Sequence, residues 1–140
     1  MATSAELSGS FGPYEIESRL GAGGMSTVYT ARDPGGHLIA LKVLSDELAH
    51  DNDFVNRFRR ESKVLLSLDH PSIIKGHDAG TFDDKLYLAT DLVDGRSIGE
   101  ILELGGRFPQ EVAVHVASDI AAALDYAWAR QIVHRDIKPD

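Results

Sequence analysis

At 140 residues, with 43% hydrophobic and 26% charged positions, the chain has the composition of a globular domain rather than a disordered segment. A formal net charge of -8 argues against nucleic acid or an anionic membrane surface as the main partner, though a few lysines and backbone amides suffice for one local phosphate site. The absence of cysteine excludes disulfides, thiolate metal sites and thiol catalysis.

In chain order, Met1 to Ser10 is small and polar, with no basic n-region and no apolar core. It therefore reads as a flexible N-terminus over 1–10 and not as a signal peptide. No stretch approaches the roughly 18 apolar residues of a spanning helix, so the expected location up to residue 140 is cytoplasmic. Tyr14, Ile16, Ser18 and Leu20 alternate with charged residues and lead into Gly21, Gly23 and Gly24. Thr27–Arg32 and Leu38–Leu44 read as the next strands, with a turn at Pro34-Gly35-Gly36 between them. Asp51, Asn52 and Asp53 offer N-cap oxygens to a helix whose face runs Phe54, Phe58, Glu61, Leu65 and Leu68. Ile73–Ala79 and Leu86–Val93 are two further strand candidates, separated by the Asp83-Asp84-Lys85 turn. Beyond Asp94-Gly95 the pattern turns helical. Ser97 and Glu100 form a capping box for a short helix ending at Gly105-Gly106. Pro109 then opens a long helix with a stripe of Val112, Val116, Ile120, Ala123, Leu124 and Ala127.

Three features carry chemistry. The segment Gly21-Ala22-Gly23-Gly24-Met25-Ser26-Thr27-Val28 lies between two strands, where glycines let backbone N–H groups approach a polyphosphate. A flexible hairpin turn is the plainer reading of the same residues. Neither the P-loop nor the dinucleotide fingerprint fits, because no helix follows. In the third strand Ala40 and Lys42 share one side, opposite Ile39, Leu41 and Val43. Glu61 interrupts an apolar helix stripe, where an unpaired carboxylate is costly. A Lys42–Glu61 pair accounts for both oddities; a snorkelling lysine and a helix-edge glutamate are the alternatives. Last comes His134-Arg135-Asp136-Ile137-Lys138-Pro139-Asp140, in which Asp136 can accept a proton from a hydroxyl and Lys138 can stabilise phosphoryl charge.

Glycine loop, Ala-x-Lys strand, helix glutamate and His-Arg-Asp-x-Lys-Pro loop, in that order, resemble the Ser/Thr protein kinase family. The wordings Gly-Ala-Gly-Gly-Met-Ser-Thr-Val-Tyr and Arg57-Phe58-Arg59-Arg60-Glu61 are most similar to its bacterial members, and the resemblance covers about Phe11 to Asp140. It implies an α+β, protein-kinase-like fold. An antiparallel five-stranded small lobe with one helix and the hinge would occupy 11–93, and the first helices of a truncated α-rich large lobe 94–140. It also implies ATP-dependent transfer to protein Ser or Thr hydroxyls with Mg²⁺. Leu20, Gly21, Ala22, Gly23, Gly24, Met25, Ser26 and Val28 would then cover the nucleotide, with Val28 and Ala40 sandwiching adenine. Lys42 would hold the α- and β-phosphates and pair with Glu61. Thr90 would guard the back of the adenine pocket, and Asp91 to Val93 would form the hinge strand. Asp136 would be the catalytic base and Lys138 the charge stabiliser.

Three residues depart from the family pattern. Ser26 replaces a frequent third glycine, Trp128 a frequent histidine, and Gln131 a glycine that often ends the long helix, where a left-handed residue costs about 1 kcal/mol. The Mg²⁺-binding asparagine, the Asp-Phe-Gly metal site and the activation segment are expected beyond Asp140. The chain then reads as an N-terminal fragment of the enzyme, with a non-catalytic ATP-binding or interaction fragment as the alternative. In isolation the long helix would expose its apolar stripe and limit solubility. A remote alternative is a serine hydrolase: Gly95-Arg96-Ser97-Ile98-Gly99 matches a nucleophile elbow, with Asp119, Asp125 and His134 in triad order. That reading needs parallel strands and an oxyanion loop, and neither is legible.

Overall fold

The computed structural model describes residues 7–139, so residues 1–6 of the expected flexible start and Asp140 lie outside the described residues. Six strands form one sheet: β1 (Gly9–Phe11), β2 (Tyr14–Ala22), β3 (Ser26–Arg32), β4 (Leu38–Leu44), β5 (Gly76–Phe82) and β6 (Lys85–Asp91). Their order is β1-β2-β3-β4-β6-β5, with every neighbouring pair antiparallel. Five strands were expected. The sixth is β1, whose first two residues fall in the 1–10 segment read as flexible: Gly9 and Gly12 adopt φ of 77° and 56°, and Gly9 pairs with Ile16. Its three residues are too short for an alternating pattern to register.

The β5–β6 hairpin shows how turn chemistry sets register. Asp83 and Asp84 take φ of 46° and 59°, the conformation of a two-residue type I′ turn, and Phe82 lies opposite Lys85. Strand β5 begins three residues later than its sequence suggests. Ile73 and Ile74 have the β-branched signature, but the Ile73 N–H donates to His70 O in a turn, and Gly76 and Asp78 take the ladder instead, with an irregularity at His77 between them.

Helix α1 (Asn52–Leu66) starts where the sequence places it: the Asp51 carboxylate accepts from the N–H groups of Asp53 and Phe54. It packs on β5 and β6 through Phe58, which joins Leu44, Leu86 and Leu88 in one apolar cluster. The second cluster lies on the opposite side of β4, where Ile39, Leu41 and Val43 meet Phe11, Tyr14, Tyr29, Ala31, Tyr87 and Ala89. At its edge the Asp78 carboxylate accepts from the hydroxyls of Tyr14 and Tyr87, both at 2.8 Å, bridging β2, β5 and β6. Burial pushes the Tyr14 phenol well above its ordinary range, and the Asp78 hydrogen bond adds to the shift; Tyr87 is raised for the same two reasons. For Asp78 burial alone would raise the pKa, but the two phenol hydrogen bonds and the Ala79 N–H override it and hold the carboxyl below its ordinary value.

The chain divides into two compact units, one running up to Asp69 and including Ile74–Leu92, the other comprising His70–Ile73 and Val93 onward. In the second unit α2 (Ile98–Glu103) and α3 (Gln110–Trp128) follow the expected signals. Pro109 is the N-cap of α3 rather than its first residue, a shift of one position. On α3, Val116, Ile120 and Ala123 are half-buried and Ala127 is buried, whereas Val112 and Leu124 of the expected stripe are exposed, along with Val114 and Trp128. Tyr126 is flanked by the Arg130 guanidinium, 3.6 Å from its ring centroid, and by the His70 ring at 5.2 Å.

Candidate active site

The glycine segment is a tight hairpin rather than a long loop. Gly21 and Ala22 are already in β2, opposite Val28 and Thr27, so only Gly23, Gly24 and Met25 form the turn. The Gly23 N–H donates to Ser26 O at 2.9 Å, and the Ser45 N–H donates to Met25 O at 3.1 Å. None of the three loop glycines has a left-handed φ. A Cβ added at Gly21 or Gly24 would meet no protein atom within 4 Å, and one at Gly23 would meet only Ser26 O at 3.9 Å. Neither the backbone path nor the packing of this chain therefore demands glycine here. What remains is open space that a ligand can enter, which fits a polyphosphate brought against backbone N–H groups.

Sheet register aligns the expected nucleotide residues. Gly21 lies opposite Val28, Val28 opposite Lys42, and Lys42 opposite Leu88. Directly opposed residues share a face, so these four form one cross-strand row. Ala40, opposite Thr30 and Thr90, forms the next row on that face. Leu20, one residue before Gly21 at an irregularity in the ladder, is exposed, as is Met25 at the hairpin tip. Asp91 ends β6: its N–H donates to Lys75 O, and its carboxylate lies 2.6 Å from His77 Nε2. Thr90 Oγ1 donates to the carbonyl of Asp91 at 3.2 Å, and Val93 is exposed.

Beyond Lys42 a cavity of about 150 Å³ opens between the hairpin and α1, lined by Gly23, Gly24, Met25, Ser26, Lys42, Leu44, Phe54, Arg57, Phe58 and Glu61. Strand lysine, helix glutamate and glycine hairpin are thus brought to one place. The expected ion pair, however, is absent. Glu61 is exposed, and no ion pair among the described residues joins it to Lys42. The buried side of α1 runs through Phe58 and Ser62, with Val55 and Leu65 alongside, which leaves Glu61 on the edge of the stripe rather than in its centre. Lys42 Nζ instead lies 6.0 Å from the centroid of the Phe58 ring.

The His-Arg-Asp loop lies in the second unit. Lys138 Nζ is 3.8 Å from Asp136 Oδ2, the Asp136 N–H donates to His134 Nδ1, and the Pro139 carbonyl accepts from Gly99 N–H at 2.8 Å. Arg135 has a left-handed φ of 65°, as does Gln131 at 63°. Asp136 is exposed. Ser97 is occupied as a helix cap: its Oγ accepts from Glu100 N–H, while the Glu100 carboxylate accepts from Ser97 N–H. With an antiparallel sheet and Ser97 committed to capping, the hydrolase alternative has no support.

An antiparallel sheet with a glycine hairpin, a strand lysine and a neighbouring helix, followed by a helical unit carrying a His-Arg-Asp-x-Lys-Pro loop, defines the protein kinase class of fold. The chain belongs to the protein kinase family: residues 14–140 match the protein kinase domain. It is 46% identical over 130 residues to the serine/threonine-protein kinase PknJ of Mycobacterium tuberculosis, covering 92% of this chain and 22% of that protein. Against the serine/threonine-protein kinase PrkC of Bacillus subtilis it is 40% identical over 129 residues, covering 91% and 20%. The crystal structure of the Mycobacterium tuberculosis PknI kinase domain superposes with a TM-score of 0.81 at 38% identity, over 96% of this chain and 57% of that one. The chain thus spans about a fifth of the curated relatives' length and just over half of a solved kinase domain. Sequence reasoning missed Arg57, Phe54, Phe58 and Leu44 as cavity residues; the helix period marked the two phenylalanines as apolar but not what they face.

Proposed function

We propose that the protein of which this chain is part transfers the terminal phosphoryl group of Mg-ATP to Ser or Thr hydroxyls of proteins. The observation that carries this is the cavity in which Gly23, Gly24, Lys42 and Glu61 meet, at the end of the sheet face that also carries Val28 and Ala40. Lys42 binds the inner phosphates, and Glu61, on the helix wall of the same cavity, is its charge partner during turnover. Thr90 and Asp91–Val93 border the base. Asp136 accepts the proton of the substrate hydroxyl, and Lys138, already beside it, stabilises the charge on the transferred group. No group of three potential ligands that could hold a metal occurs among the described residues; Mg²⁺ enters this reading as the partner of the nucleotide's phosphates. Such an ion supplies charge neutralisation for the phosphoryl group. No helix among the described residues is long and apolar enough to cross a membrane. A cytoplasmic location for the kinase unit is proposed together with its use of ATP. The boundaries 11–93 and 94–140 are proposed for its two lobes.

The test is phosphoryl transfer from labelled ATP to a protein acceptor by the full-length protein. Lys42→Met and Asp136→Asn should each abolish transfer, the second while keeping ATP affinity. Transfer at wild-type rates by either variant would overturn the assignment.

A further inference from the structure

The cavity behind the hairpin holds a second cation that the roles given above leave without a task. Arg57 lies on α1, one turn before Glu61, and lines the same space as Gly23, Gly24 and Lys42. Its guanidinium carbon sits 5.4 Å from the centroid of the Phe54 ring, while Lys42 Nζ sits 6.0 Å from that of Phe58. Phe54 and Phe58 are one helical turn apart, so neighbouring aromatic faces carry two cations against one cavity. A guanidinium already stacked on a ring loses less freedom when it grips an anion. The wall has two cations and one carboxylate, and no ion pair among the described residues engages any of the three.

Direction along the sheet says which phosphate Arg57 faces. Ala40 pairs with Thr90 at the base end, Lys42 follows, and Leu44 lines the cavity still farther from Thr90. Val28 and Ala40 do not line it. The space therefore begins at Lys42 and continues away from the base toward the hairpin tip. Groups beyond the inner phosphates would occupy it.

We infer that Arg57 is a phosphate-binding residue that contacts the terminal phosphate of a bound nucleoside triphosphate, so that this site favours triphosphate over diphosphate. The inference rests on the nucleotide reading above. A single charge-assisted contact from an exposed side chain corresponds to about tenfold in affinity. In the full-length protein, Arg57→Ala should weaken ATP binding about tenfold while leaving ADP within about twofold, and Arg57→Lys should recover part of the loss. Inorganic tripolyphosphate should compete less well with ATP-site probes in Arg57→Ala than in wild type. Equal weakening of ATP and ADP would mean a structural role and overturn the inference; so would unchanged ATP affinity. Wild-type protein that binds neither nucleotide would instead remove the nucleotide reading itself.

Discussion

Replacing Gly21 by alanine separates what the fold needs from what a ligand needs. The residue sits in β2 on the face shared by Val28 and Lys42, its φ is not left-handed, and an added Cβ meets no protein atom within 4 Å. Unliganded protein should lose nothing. Removing a glycine from a compatible backbone restricts the unfolded chain and stabilises by about 0.4–1 kcal/mol, roughly 2–8 °C in melting temperature for a domain of kinase-lobe size. A bound nucleotide, by contrast, would meet the methyl group. Overpacking costs about 1–3 kcal/mol, which weakens ATP by roughly 5- to 150-fold. The assay pairs a thermal melt without ligand with an ATP titration of full-length Gly21→Ala, and Gly21→Val should deepen the affinity loss. A drop in unliganded stability of more than about 1 kcal/mol would show that the glycine serves the fold. Unchanged ATP affinity would refute the reasoning from the other side.

Three further outcomes are expected. Gln131 pays a left-handed penalty with φ of 63°, so Gln131→Gly should cost nothing and stabilise by up to about 1 kcal/mol in chemical denaturation, whereas Gln131→Val should destabilise. The Tyr14–Asp78–Tyr87 bridge should make stability fall at both pH extremes. With the Asp78 pKa depressed on folding, its contribution is present above the ordinary carboxyl value of about 3.9 and is lost as pH drops through the folded value; with the phenols raised, theirs is present below about 10 and lost as pH rises beyond it. Urea melts across pH should therefore show a shallower acid limb for Asp78→Asn, and an unchanged limb would contradict the bridge. Leu41 is 0% exposed at the centre of β4, and Leu41→Ala should cost about 2–5 kcal/mol; a loss below 1 kcal/mol would show that the site collapses freely.

Much of this was legible because local chemistry repeats the global answer. The Asp51 cap, the Ser97–Glu100 box and the Asp83-Asp84 turn are each decided by side chains a few residues apart, and all three form as read. The ordered motifs identified the family for the same reason. Strand β1 and the start of β5 were not legible, since three residues carry no period and Ile73-Ile74 mimics a strand while a turn claims it. Nor was the state of Glu61: helix period alone could not say whether the buried arc of α1 is centred on Glu61 or on Phe58 and Ser62. The Asp78 bridge joins residues 64 and 9 positions apart, beyond any local pattern.

The bond from Ser45 N–H to Met25 O hangs the tip of the glycine hairpin from the end of the strand that carries Lys42. Lifting the hairpin breaks that bond and exposes the Ser45 amide to solvent. Deuterium uptake at this one amide therefore acts as a clock for loop opening, and it should slow when a ligand pins the tip down.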